Sequence, residues 1–209
     1  MSGRLFVKVC GITSEEDARL VADAGADALG LVFWPNSPRA VGFEAARRIA
    51  AAAPPALVRV GVFVDAGAEA IARAVDEVGL DLVQLHGEER PELLEALPRR
   101  AWKALRVGDG LAAADVAPWS RAAGVLLDTR VAGTPGGTGR SFDWRLAAAV
   151  RDRIGFLVLA GGLDASNVAE AVAAARPDGV DVSSGVERAP GRKDAAKLRA
   201  FVEAARRAS

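Results

Sequence analysis

Cys10 and Asp128 are the residues of this chain best suited to paired acid/base work: one is the only cysteine, the other the acid that ends the run GVLLD. A thiolate can abstract a carbon-bound proton, and a carboxylic acid can protonate a leaving oxygen. Together they suit the isomerisation of a sugar next to a C=N or C=O group. Each has a plainer alternative. A lone cysteine commonly serves as a small hydrophobe, and an aspartate after a strand can cap a helix or pair with a loop cation. Cys10 directly precedes Gly11 and shares strand parity with Phe6 and Lys8, which aims it inward if those residues lie on one strand.

Two glycine- and serine-bearing segments near the C-terminus read as a phosphate cradle: AGGL, with Gly161 and Gly162, before a helix expected to begin near Asp164, and SSGVE, with Ser183, Ser184 and Gly185. Glycine lets backbone N–H groups approach the anion, serine adds hydroxyl donors, and a helix start adds a favourable dipole. Simple tight turns are the alternative for either segment alone. Arg39, in WPNSPRAV, offers a planar fork that matches a substrate carboxylate, against the commoner fate of an exposed arginine. Gln84 and His86, in QLHGEE, could hydrogen-bond sugar hydroxyls or merely satisfy loop backbone. The segment GTPGGTGRSFDW contains Gly137 and Gly139 and could close over a substrate as a lid or serve as a plain connection.

Something must hold these residues in one place. β-Branched and leucine-rich runs recur at FVKV (6–9), ALGLVF (28–33), VRVGVF (58–63), DLVQL (81–85), AWKAL (101–105), GVLL (124–127), FLVLA (156–160) and GVDV (179–182). Between them lie residues at helical spacing: Ala18, Val21 and Ala22; Ala46, Ile49 and Ala50; Ile71, Ala74, Val75 and Val78; Leu198, Phe201, Val202 and Ala205. Ser14 followed by Asp17 has the capping-box spacing, Pro54 and Gly79 read as helix ends, and Arg206 and Arg207 suit a last helical turn. Strand and helix are expected to alternate throughout. The pattern predicts one domain over residues 1–209, a parallel (β/α)8, or TIM, barrel, with an open doubly wound sheet as the alternative. In such a barrel, active side chains stand at the C-terminal ends of strands, with phosphate held after strands seven and eight. Cys10, Asp128, Gly161 and Ser183 all trail their strands.

The 209 residues carry 27 basic and 27 acidic side chains, so no net charge recruits nucleic acid or an anionic membrane. No apolar run approaches the ~20 residues that span a bilayer, and MSGRLFVKVCGIT has no secretory pattern; a cytoplasmic protein is expected. One cysteine and one histidine exclude an intrachain disulfide and argue against an all-protein metal site. The expected partner is a small phosphorylated molecule, with no metal and no cofactor. Monomer and homodimer are both compatible with the sequence.

Taken as a set, VKVCGIT, the loop ending SPRAV, LVQLHG, LLDT, GGTGRSFDW, LAGGLDASNV and DVSSGVE followed by GRKD resemble the phosphoribosylanthranilate isomerase family across nearly the whole chain. The most specific elements are KVCGIT, QLHG and the DVSSGVE…GRKD ending. The resemblance implies a cofactor-free Amadori rearrangement in tryptophan biosynthesis, with Cys10 as general base and Asp128 as general acid. It also implies that Arg39 binds the anthranilate carboxylate and that the region of Gly162, Ser183 and Ser184 binds phosphate. Other phosphosugar barrels, such as the histidine-pathway isomerase or indole-glycerol-phosphate synthase, use an aspartate pair or a lysine with a glutamate, which Cys10 argues against. A non-catalytic barrel that binds phosphorylated ligands would not need both proton-transfer groups. The proposed chemistry requires a thiolate, although a free thiol ionises near ~8.5. Lys8 is the candidate stabilising charge, with Asp181 on the neighbouring strand competing for it.

Overall fold

The computed structural model describes residues 4–108, 110–129 and 143–208. Gly137 and Gly139, with most of the expected lid segment, lie outside the described residues. The strands are β1 (Phe6–Cys10), β2 (Ala28–Val32), β3 (Val58–Phe63), β4 (Leu82–Leu85), β5 (Ala101–Val107), β6 (Gly124–Thr129), β7 (Leu157–Leu159) and β8 (Gly179–Val182). All eight pair in parallel and in chain order, and β8 returns to β1 with Lys8 opposite Asp181. The barrel is therefore closed, and the open sheet is excluded.

Side-chain alternation divides this sheet into two faces. Val7 and Val9 join the large core under the helices, while Phe6 packs in a separate cluster with Trp102, Ala104, Leu126, Val158 and Ala160. That second cluster fills the N-terminal end of the barrel. Phe6 meets Trp102 and Phe156 edge-on, with centroids 5.8 and 5.9 Å apart, a geometry the ring quadrupoles favour. Two residues further along the same inward positions, Phe6 gives way to Lys8 and Leu82 to Gln84, both completely buried. The interior thus changes from apolar to charged on approaching the C-terminal mouth.

The helices α1 (Glu15–Asp23), α2 (Phe43–Ala52) and α3 (Ala68–Val78) follow the first three strands. Ile71, Ala74, Val75 and Val78 bury one stripe of α3, and Gly79 ends it at φ +74°, a conformation that glycine adopts without a Cβ penalty. Ser14 caps α1 by accepting from the Asp17 N–H. The expected capping box is only half formed, because the Asp17 carboxylate accepts from the Lys193 N–H, 3.2 Å away.

Strict alternation fails in the middle of the chain. A 3-10 segment, Pro91–Ala96, joins β4 to β5, and only α4 (Ala113–Val116) with a further 3-10 turn leads to β6. Pro91 and Pro118, each placed early in a 3-10 segment, fit first-turn positions that need no donated N–H. Then come α5 (Trp144–Val150), α6 (Val168–Ala175) and α7 (Ala195–Arg207). Arg206, in the last turn of α7, ion-pairs with Asp27 at 2.7 Å, and Asp27 also accepts from the Val7 N–H. The last helix is thereby tied to the first two strands. Between β8 and α7 lies a hairpin absent from the sequence reading, formed by β9 (Glu187–Ala189) and β10 (Arg192–Lys193).

Candidate active site

Cys10 ends β1 two residues beyond Lys8, and Asp128 stands two residues beyond Leu126 of the interior cluster. Both therefore occupy inward positions at the C-terminal mouth. Cys10 is partly accessible there, and the Asp128 side chain keeps 27% of its exposure. Lys8 lies beneath the sulfur and ion-pairs with Asp181 at 2.8 Å. Burial opposes the Lys8 ammonium, but Asp181 and Cys10 outweigh it and hold its pKa above the ordinary value. Burial also raises the Asp181 carboxyl, with Lys8 working to lower it, and among the described residues Asp181 Oδ1 is buried with no hydrogen-bond partner.

Lys8 does not make Cys10 a ready thiolate. Burial pushes the thiol above its usual range, and the neighbouring Asp181 charge adds to the rise. Lys8 and, more weakly, Lys193 pull the other way. The ligand-free protein accordingly favours the thiol form, and the cations limit a cost that burial imposes.

Gly30, on β2, was not singled out in the sequence and is what lets sulfur and ammonium meet. A Cβ there would lie 2.8 Å from Cys10 Sγ and 3.1 Å from Lys8 Nζ. Gly30→Ala is expected to displace the sulfur and lower kcat about 10-fold with KM little changed, since misplacements of about 1 Å can cost up to about 10²-fold. Steady-state kinetics on the folded variant decide it, and an unchanged kcat would mean the sulfur position is not constrained at this point.

Across the mouth, His86 Nε2 lies 3.2 Å from Asp128 Oδ2, and its Nδ1 lies 3.0 Å from Gln84 Nε2. With the Gln84 amide donating to Nδ1, the neutral imidazole carries its proton on Nε2 and donates to Asp128 Oδ2, which steers the carboxylate. The turn that carries His86 is fixed from below. Lys103 donates to the Gly87 carbonyl and pairs with buried Glu89, each at 2.5 Å.

The loops after β7 and β8, which carry the residues read as a phosphate cradle, lie against each other. Gly161 and Gly162 have φ of +82° and +65°, and Asn167 donates to the Gly162 carbonyl. A Cβ on Gly185 would overlap the Leu163 carbonyl oxygen, so the loops after β7 and β8 approach at a distance that only glycine permits. The helix does not begin near Asp164. That carboxylate accepts from the Ser166 N–H and hydroxyl, which folds a local turn first, and α6 starts at Val168 behind Asn167. Ser183 donates to the Cys10 carbonyl at 3.2 Å, and Ser184 opens a short 3-10 turn.

Arg39 is not a free surface side chain. It passes over Gly11, where φ is +76° and a Cβ would overlap its Cδ, and binds Glu187 through Nε at 2.8 Å and Nη2 at 2.6 Å. Glu187 and Lys193 were not assigned as site residues from the sequence. Their signal was the DVSSGVE and GRKD motifs, which mark the positions without revealing the contacts. Among the described residues no group of three or more His, Cys, Asp and Glu side chains is arranged to hold a metal, and no helix is long and apolar enough to cross a membrane.

Residues 7–204 match the family model for N-(5'-phosphoribosyl)anthranilate isomerase. A relative of that name from Pseudomonas paraeruginosa is 54% identical over 202 residues, covering 96% of this chain and 94% of its own. The phosphoribosyl anthranilate isomerase structure from Thermotoga maritima superposes with a TM-score of 0.90 at 42% identity, covering 96% of this chain and 98% of that one. Another isomerase structure, with TM-score 0.85, 41% identity and the same coverage, holds reduced 1-(o-carboxyphenylamino)-1-deoxyribulose 5-phosphate.

Proposed function

The chain belongs to the N-(5'-phosphoribosyl)anthranilate isomerase family, and from that premise we propose how its own residues divide the work of this tryptophan-pathway isomerisation. Asp128 donates a proton to the furanose ring oxygen of phosphoribosylanthranilate. The C1–O bond breaks as the anilino nitrogen lone pair forms C1=N, opening the ring to a Schiff base. Cys10, as thiolate, removes the C2 proton, and the C–H electrons become C1=C2 while the C=N electrons return to nitrogen. The resulting enolamine gains a proton at C1 and loses one from the C2 hydroxyl, giving the ketone 1-(2-carboxyphenylamino)-1-deoxyribulose 5-phosphate. Solvent returns Asp128 and Cys10 to their starting states. No cofactor is required by this electron count.

The observation that carries the reading is the shared inward parity of Cys10 and Asp128 at one barrel mouth, beside the glycine-tight junction of the β7 and β8 loops. Backbone N–H groups near Gly161, Gly162, Ser184 and Gly185 supply the phosphate subsite, joined by the Ser183 hydroxyl when it turns from the Cys10 carbonyl that it meets in the ligand-free protein. His86 orients Asp128 and contacts the sugar, and buried Gln84 holds the imidazole from beneath. The enzyme works in the cytoplasm. Mixing purified protein with freshly generated phosphoribosylanthranilate should remove the substrate's fluorescence; no loss above the spontaneous rate overturns the reading.

Arg39 would take the anthranilate carboxylate. A hydrogen bond to a charged group contributes about 1.5–3 kcal/mol, so Arg39→Ala should raise KM about 10- to 10²-fold, with a smaller effect on kcat. An unchanged KM removes the carboxylate contact from Arg39.

A further inference from the structure

We infer that Glu187 and Lys193 are positioning residues that lock the Arg39 guanidinium to the Cys10 end of β1, so the fit of the substrate carboxylate depends on side chains it does not touch. The inference rests on the reading of Arg39 as the carboxylate contact.

Glu187 is held by four donors. Its Oε1 accepts from Arg39 Nε at 2.8 Å, Lys193 Nζ at 2.9 Å and the Gly191 N–H at 3.2 Å, and its Oε2 accepts from Arg39 Nη2 at 2.6 Å. The side chain is only 5% exposed. Arg39 and Lys193 hold its carboxyl below the usual range although burial works to raise it. A carboxylate so bound is a poor target for displacement by another, so the Nε and Nη2 edge of Arg39 is committed. The two N–H bonds of Nη1 and the second of Nη2 are left as donors for a ligand.

Lys193 carries the lock back to the catalytic strand. Its Nζ donates to the Cys10 carbonyl at 2.7 Å, the Ser183 carbonyl at 3.2 Å and Glu187. Burial lowers its pKa, yet three acceptors around one nitrogen complement the three N–H bonds of an ammonium. The β9–β10 hairpin sets Lys193 opposite Glu187 and turns at Gly191, whose φ is +73° and whose carbonyl accepts from Thr13 Oγ1. One path of charged contacts therefore links the loop after β2, the hairpin after β8 and the peptide of Cys10. Buried ion pairs gain little stability over apolar packing; fixing the direction of a guanidinium is something apolar packing cannot do.

Two ligands separate this role from general support of the fold: the reduced product analogue held by the related isomerase, and the same compound without its carboxyl group. Calorimetric titration of Glu187→Gln should show the carboxylated compound bound about 10-fold more weakly, as for a mis-aimed contact, and the other within about 2-fold of the parent. Arg39→Ala should discriminate in the same direction, and the double variant should be no weaker than Arg39→Ala beyond about 2-fold, because the two act in series. If Arg39→Ala discriminates and Glu187→Gln does not, the inference fails and the Arg39 reading stands. If Arg39→Ala does not discriminate, both fail. Equal weakening of the two compounds by Glu187→Gln makes the residue structural and overturns the inference. Should the glutamine variant not fold, Glu187→Asp, which keeps the charge but withdraws it by one methylene, is judged by the same comparison.

Discussion

Cys10→Ser is expected to lower kcat by at least about 10²-fold, the scale of a lost general base, while the protein melts within a few degrees of the parent. The exchange replaces sulfur by a smaller oxygen at a partly accessible position, so it opens no large cavity and leaves Lys8 paired with Asp181. What it removes is acidity. Burial already raises the Cys10 thiol, with Lys8 and Lys193 offsetting part of that rise. An alcohol gives up its proton far less readily than a thiol, and two nearby cations cannot make up the difference at a position where burial disfavours the anion. KM should change little, because the sulfur reacts at C2 and supplies no binding charge in the thiol form. Steady-state kinetics on the folded variant are the check. Turnover within a few-fold of the parent would show that another group takes the C2 proton, and the assignment of Cys10 would go with it.

The barrel could be read from the chain because its information is local. Each strand is a short apolar run, and Ile71, Ala74, Val75 and Val78 mark one helix face by spacing alone. Parity then carried Lys8 and Cys10 inward, and closure of β1 on β8 set Lys8 opposite Asp181, as their alignment shows. What was missed has no local mark. Arg39 and Glu187 are 148 residues apart in the chain, and neither position signals that their side chains form a fork-to-carboxylate pair. Asp17 has capping-box spacing but serves Lys193, a partner 176 residues away. Asp164 looks like a helix start and instead folds a turn with Ser166, since a short polar side chain competes with the backbone for the first N–H groups. Gly30 is one of 22 glycines, and only the sulfur and ammonium occupying its missing Cβ explain it.

Asp128→Asn tests the acid and also isolates the base. The amide keeps the size of the side chain and a contact to His86, now 3.2 Å from Oδ2, so the fold should hold. It cannot deliver a proton to the furanose oxygen, and kcat should fall by about 10²- to 10⁴-fold, the usual span for general acid catalysis. With the acid removed, residual turnover depends on the thiolate fraction alone. Burial raises the Cys10 pKa, so the ionised fraction is small near neutrality and grows about 10-fold with each pH unit until the thiol has titrated. The residual kcat/KM of Asp128→Asn should therefore climb steadily from neutral into alkaline pH and level off only above the ordinary thiol range near ~8.5. A flat profile across that interval would mean that Cys10 is already ionised or is not the base, and near-parent turnover would remove Asp128 from ring opening.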